Sequence, residues 1–200
     1  MRVIGLTGGI GSGKSEAGRR FCENGVPTVS ADEVAHTLLE PGGAAVDAVV
    51  DAFGEEIMAN GRVDRARLAA KVFGNPEAVA RLNGITHPLI GIEIARHCAA
   101  FAGQGHTAAL VDAALLGENG RREPFLQGLI LVLCPDDERM RRLVELRGIP
   151  HDEALRRMRA QTPPERKIPL ADWVIRNDGS IEHLHRQVDA VAREIKEAGR

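Results

Sequence analysis

The run Val3-Ile4-Gly5-Leu6-Thr7, followed by Gly8-Gly9-Ile10-Gly11-Ser12-Gly13-Lys14-Ser15, decides how this chain folds. Val3–Thr7 is short and apolar, the pattern of a buried strand. Gly8, Gly13, Lys14 and Ser15 satisfy the spacing G-x-x-x-x-G-K-[ST], and the amphipathic segment Lys14–Asn24 continues from it as a helix. Glycines let the backbone curl so that successive N–H groups converge on an anion. The start of the helix adds partial positive charge at the same place. Lys14 has the reach for the β- and γ-phosphates of a nucleotide, and the Ser15 hydroxyl suits Mg²⁺. Strand, loop and helix in this order predict a phosphate-binding loop.

Working outward, Ala108–Asp112, Leu129–Cys134 and Trp173–Arg176 repeat the pattern of short apolar runs bounded by Gly, Pro or charge, with Val26–Val29 as a fifth strand. Helical patterns lie between them: Asp32–Leu39, Asp64–Val72, Asp136–Arg147, Asp152–Ala160 and Ser180–Ala198. The last carries a stripe of Ile181, Leu184, Val188, Val191 and Ile195. Strands alternating with helices predict an α/β fold, a five-stranded parallel sheet flanked by helices. Residues 41–105 hold helical patterns and no evident strand, so a helical insertion is expected there. Residues 136–169 form a second, Arg-rich segment. The core is then 1–40, 106–135 and 170–200, all within one domain.

Composition narrows the function. The chain has 200 residues, 44% hydrophobic and 27% charged, as in an ordinary globular protein. A net charge of -2 gives no electrostatic reason to bind nucleic acid or an anionic membrane. Aromatics are 3% and Tyr is absent, leaving little with which to stack bases. Cys22, Cys98 and Cys134 form no CxxC pair and read as reduced thiols. The opening run is too short for a signal peptide, and no run approaches a membrane span. A cytoplasmic protein acting on a small molecule, as a monomer or weak homo-oligomer, is the expectation.

Two carboxylates stand where chemistry needs them. Asp112 ends an apolar run, the place of a Mg²⁺-binding acid or of a helix cap. Asp32 follows the second strand at the carboxyl edge of the sheet, where ligands bind, and is read equally as an acceptor-orienting base or as the cap of its helix. No Asn-Lys-x-Asp is present, which argues against a GTPase, and a motor-type ATPase is usually longer. A small-metabolite kinase fits the size, with a nucleotide-dependent switch as the alternative from another class.

These residues resemble the dephospho-CoA kinase family. The resemblance runs from Gly5–Ser15 through Ala31-Asp32-Glu33-Val34-Ala35-His36, Pro41-Gly42, Gly61-Arg62-Val63-Asp64-Arg65, Leu68, Leu82-Asn83 and His87-Pro88. It continues through Arg157-Met158-Arg159-Ala160-Gln161, Lys167, Ala171-Asp172 and Asn177-Asp178-Gly179-Ser180. It implies a P-loop kinase fold that phosphorylates the ribose 3′-hydroxyl of dephospho-coenzyme A with ATP and Mg²⁺, the last step of coenzyme A synthesis. It implies Asp32 as base and Gly9, Ile10, Gly11, Ser12, Gly13, Lys14 and Ser15 around ATP, with Arg157 and Asn177 also on the nucleotide. Ser15 and Asp112 would hold the metal. The helical insertion would receive dephospho-CoA, with His36, Arg65, His87, Pro88, Leu115 and Leu116 as its contacts, and His87-Pro88 would break a helix so as to aim the imidazole. Residues 136–169 would be a lid whose Arg142 and Arg147, with Lys14, stabilise the transferring phosphoryl group.

Two departures from the family pattern stand out. Ala114 occupies the place of a usual proline in Asp112-Ala113-Ala114-Leu115-Leu116, leaving local rigidity to be explained. The spacing from Arg142 to Arg147 is one residue longer than usual, which on a helix turns a side chain by about 100°.

Overall fold

The computed structural model describes residues 1–118 and 120–199. Five parallel strands form the main sheet: β1 (Arg2–Gly8), β2 (Thr28–Ser30), β5 (Ala108–Asp112), β6 (Gly128–Leu133) and β7 (Trp173–Arg176), in the order β2-β5-β1-β6-β7. This is the α/β sheet expected from the apolar runs. Between β2 and β5 lie the short strands β3 (Met58–Ala59) and β4 (Arg62–Val63). The helices are α1 (Lys14–Glu23), α2 (Ala31–Thr37), α3 (Val46–Phe53), α4 (Arg65–Val72), α5 (Pro76–Gly103), α6 (Asp136–Arg141), α7 (His151–Arg159) and α8 (Ile181–Glu197). The chain divides into two compact units, Met1–Val29 with Cys98–Arg200, and Ser30–His97.

The sheet belongs to the first unit. Ile4 and Leu6 of β1 are fully buried, and on the same core lie Leu110, Ile130, Val132 and Ile175 of the neighbouring strands. Helices α1 and α8 cover this core with Phe21, Leu184, Val188, Ala192 and Ile195. The buried line on α8 differs slightly from the expected stripe: Ala192 is buried, Val191 is only partly so, and Ile181, in the first turn, is 47% exposed. Outside the core, Arg20 forks onto Asp189 with two bonds of 2.7 Å, and Asn24 donates to the same carboxylate at 2.7 Å. That bidentate geometry fixes how α1 lies against α8.

The second unit has its own buried side chains, including Val49, Phe53, Ile57, Val63, Leu68 and Val72. The sequence led to an all-helical expectation here, and the structure corrects it. Strands β3 and β4 pair antiparallel as Met58↔Val63 and Ala59↔Arg62 around Asn60-Gly61, whose φ values are 52° and 73°. Both central residues are left-handed, the requirement of the tightest hairpin turn, and Asn-Gly is its preferred dipeptide. Two-residue strands are too short to show alternation, so only the turn dipeptide announced them.

The expected helix break at His87-Pro88 is absent. Helix α5 runs from Pro76 to Gly103 with Pro88 inside it. The proline lacks an N–H for the Gly84 carbonyl four residues back and crowds it, and Gly84 presents no side chain to add to that crowding. Long flanking stretches of helix override the local cost. Among the described residues no helix is long and apolar enough to cross a membrane.

A proline inside a continuous helix lowers its stability, so Pro88→Ala should stabilise the protein by about 1–3 kcal/mol. Urea unfolding measures this. Destabilisation by Pro88→Ala would show that the helix depends on the proline.

Candidate active site

Strand β1 delivers Gly8 to the carboxyl edge of the sheet, and α1 begins six residues later at Lys14. Gly13 turns the chain between them, with φ 91° and ψ 14°. A Cβ at Gly13 would lie 2.1 Å from the Asn177 side-chain nitrogen, so neither the backbone conformation nor the space admits another residue. Asn177, 6% exposed, donates its amide to the Ser12 carbonyl at 2.8 Å and so supports the turn from beneath. Its own N–H bonds the Leu133 carbonyl at 2.7 Å, tying this support to β6. The first-turn amides of α1 have no intrahelical acceptors and are left for a ligand.

Lys14 extends from α1 to Asp112, the last residue of β5, and its ammonium contacts the carboxylate. Both side chains are 15% exposed, so the pair borders the loop without being sealed in. The residues directly after Asp112, 113–118, form turns and no helix, which removes the helix-cap reading for this carboxylate. Ser15 is exposed on the first turn of α1. Asp112 and Ser15 are hard oxygen donors of the kind Mg²⁺ takes, one carboxylate and one hydroxyl beside a phosphate site.

The Arg-rich segment places its arginines unequally. Arg142 donates to Glu138 at 2.8 Å and to the Asn177 carbonyl at 3.4 Å, and a Cβ on Gly13 would stand 3.4 Å from it. Arg147 is exposed, and Arg157, half-exposed, pairs with Glu153 at 2.8 Å. Between Arg142 and Leu146 the backbone forms a π-helical turn. Such a turn takes up one additional residue within a helix, which accounts for the long spacing noted in the sequence. Arg139, which the sequence reading passed over, lies deepest: 2% exposed, it donates from Nε to the Ile10 carbonyl at 2.9 Å and from Nη1 to Asp136 at 2.7 Å. Nothing distinguished it in sequence from the other arginines of the segment.

At Ala114, hydrogen bonds hold the backbone where the family's proline ring would constrain it. The Ala114 carbonyl accepts from Lys167 at 3.1 Å and from the Thr7 hydroxyl at 3.2 Å. Lys167 is buried and pairs with Glu118 at 2.6 Å, while the second oxygen of Glu118 accepts from the Thr162 N–H at 2.8 Å. Burial pushes the Glu118 carboxyl up, but the bonds from Lys167 and Thr162 outweigh it and hold the group below its ordinary value. Of the two leucines that follow, Leu115 is 66% exposed, whereas Leu116 is buried beneath Gly5.

The remaining residues of interest lie in the second unit. Asp32 is exposed in the first turn of α2, and the cap of that helix is Ser30, whose hydroxyl accepts from the Glu33 N–H at 3.1 Å. Asp32 is thereby free of the capping role that competed for it. Arg65 opens α4 behind the Asp64 cap, and its guanidinium contacts His36 Nε2. Leu39, Glu40, Asn60, Arg62, Asp64 and Arg65 line a groove beside the hairpin. His87 and Pro88 are exposed on α5.

The Glu138 carboxyl is held down from 4.5 to about 2, chiefly by its bonds from Arg141 and then Arg142, against the opposing effect of burial. A depressed carboxyl stabilises the fold above its unfolded value, and the contribution is lost as pH falls through the folded value. The urea midpoint should therefore fall between about pH 4.5 and 2, and Glu138→Gln should lessen that fall. An unchanged profile in Glu138→Gln would contradict the pairing.

Comparison with known proteins bears on what this geometry serves. The family model described as dephospho-CoA kinase matches residues 2–183. A curated relative, dephospho-CoA kinase of Methylococcus capsulatus, is 43% identical over 194 residues, covering 96% of each chain. A crystal structure of a Thermus thermophilus protein superposes with a TM-score of 0.82 at 34% identity, covering 96% of this chain and 97% of that one. Dephospho-CoA kinase from Campylobacter jejuni shares the fold, with a TM-score of 0.63 at 24% identity over 98% of both chains. With the family model spanning nearly the whole length, phosphate loop included, this chain belongs to the dephospho-CoA kinase family.

Proposed function

We propose that this protein transfers the γ-phosphoryl group of ATP to the ribose 3′-hydroxyl of dephospho-coenzyme A, giving coenzyme A and ADP, the last step of coenzyme A synthesis. The observation that carries the reading is the phosphate loop with Lys14 held against Asp112, in a chain of this family. Three unpaired cysteines accord with a cytoplasmic setting.

The donor's phosphates are met by the amides at the start of α1 and by Lys14, which exchanges Asp112 for a phosphate oxygen when the nucleotide arrives. That exchange keeps the ammonium paired in both states, so little desolvation cost opposes binding. Asp112, released, and Ser15 would hold Mg²⁺, which neutralises charge on the phosphate oxygens when bound. Among the described residues no three His, Cys, Asp or Glu side chains cluster to cage a metal. One carboxylate and one hydroxyl, completed by the phosphates, match the way Mg²⁺ is commonly held at such sites.

Arg142, beside Gly13, is the lid arginine best placed to offset charge developing during transfer. The exposed Arg147 and Arg157 act in this reading only if residues 136–169 close as a lid. On the acceptor side Asp32 orients the hydroxyl and takes its proton, and Arg65, with Arg62 on the same groove, binds the acceptor's diphosphate. His36 contacts the Arg65 guanidinium, and in this reading His87 and Pro88, in the same unit, are acceptor contacts. In the first unit Leu115 is exposed, whereas Leu116, buried beneath Gly5, is not presented to a ligand. The insertion at 41–105 carries the acceptor and the core carries the donor.

A coupled ADP-release assay across dephospho-CoA, nucleosides and sugars tests the acceptor. Release only with dephospho-CoA is expected, and none with it would refute the assignment. Lys14→Ala should raise KM for ATP and lower kcat together, and unchanged kinetics would remove Lys14 from the phosphate site. Asp32→Asn should leave ATP binding intact while lowering kcat by ~10²–10⁴-fold. Near-normal turnover in that variant would show that Asp32 does not handle the proton.

A further inference from the structure

Both polar groups of one peptide residue in the phosphate loop are held by side chains from the Arg-rich segment. The Ile10 carbonyl accepts from Arg139 Nε at 2.9 Å, and the Ile10 N–H donates to Gln161 Oε1 at 2.8 Å. Arg139 lies near the start of that segment, on α6, and Gln161 at its far end, just after α7. Two points about twenty residues apart in sequence thus converge on a single loop residue.

Burying a guanidinium is expensive unless it is well paired. Arg139 is 2% exposed, its carboxylate partner Asp136 is 74% exposed, and its Nη2 has no hydrogen-bond partner among the described residues. The loop is shaped around it: a Cβ on Gly9 would lie 2.5 Å from Nη2, and one on Gly11 would lie 3.0 Å from the Arg139 carbonyl oxygen. An exposed Ile10 peptide could bond water at little cost, so this arrangement does more than satisfy two polar atoms. It fixes the two successive peptide planes on either side of the Ile10 Cα, immediately ahead of the amides at the start of α1. The Ser12 N–H is bonded to the Gly9 carbonyl at 3.0 Å, so the turn on either side of Ile10 is closed as well.

We infer that Arg139 and Gln161 are positioning residues for the phosphate donor: by clamping Ile10 they hold the loop in its anion-binding shape and tie the 136–169 segment to the nucleotide. The kinetic consequence rests on the phosphotransfer reading above, whereas the clamp itself does not. The variants are Gln161→Met, which removes the acceptor, Gln161→Glu, which keeps one, and Arg139→Lys, which keeps the charge but lacks the planar fork.

The test combines amide hydrogen exchange of Ile10, read by NMR in nucleotide-free protein, with ATP affinity and the KM of each substrate. Gln161→Met should speed Ile10 exchange and weaken ATP binding by about 10-fold each, the scale of one lost hydrogen bond. KM for the acceptor should stay within about 2-fold, since the clamp is confined to the donor side. Gln161→Glu should restore Ile10 protection, and Arg139→Lys should behave like Gln161→Met. Unchanged Ile10 exchange and ATP affinity in Gln161→Met, or an equal rise in KM for both substrates, would overturn the inference. Exchange and ATP affinity need no acceptor, so they stay decisive if dephospho-CoA proves inactive. If Arg139→Lys fails to fold, the two variants of the partly exposed Gln161 decide.

Discussion

A chain of phosphates is bound well only by donors that are already in place, because donors that must reorganise lose much of their value at the moment of reaction. In this protein that demand falls on the turn between β1 and α1. Gly13 is left-handed and lies against the Asn177 amide, Ser12 is held through its carbonyl, and Ile10 is gripped at both polar atoms. The strand order places β1 at the centre of the sheet, where neighbours on both sides fix its end. The rest of the first unit is arranged around that requirement.

The charges near the loop are paired. Lys14 rests on Asp112, and Arg142 rests on Glu138. The loop after β5 belongs to the same frame. Lys167, Glu118, Thr162 and the Ala114 carbonyl connect it to the end of the Arg-rich segment. A family member with proline at position 114 would have stiffness there from its ring. This chain obtains it from two hydrogen bonds on one carbonyl.

Much of this was legible in the sequence, for physical reasons. Strands buried on both faces appear as unbroken apolar runs, and the phosphate loop has few alternatives once strand and helix flank it. The hairpin at Asn60-Gly61 escaped because its strands have two residues each, too few for any period, although the dipeptide itself was a signal. The expected break at Pro88 failed because a long helix can absorb one local defect. Arg139 was invisible because burial of one arginine among many depends on which side of α6 meets the loop, and the π-helical turn resets that phase for everything after Arg142. Asn177 drew attention as a nucleotide contact or a turn former, and the structure gives its amide to Ser12. Asp32 and Asp112 each had a competing role as a cap, removed only by seeing that Ser30 caps α2 and that turns directly follow β5.

Identity of the acceptor is the central claim, and the product of the reaction tests it most directly. After incubation with MgATP and dephospho-coenzyme A, phosphorus NMR of the purified product should show a new phosphomonoester coupled to the ribose 3′ proton, formed in step with ADP. ADP appearing with free phosphate alone, or a monoester on any other hydroxyl, would contradict the account.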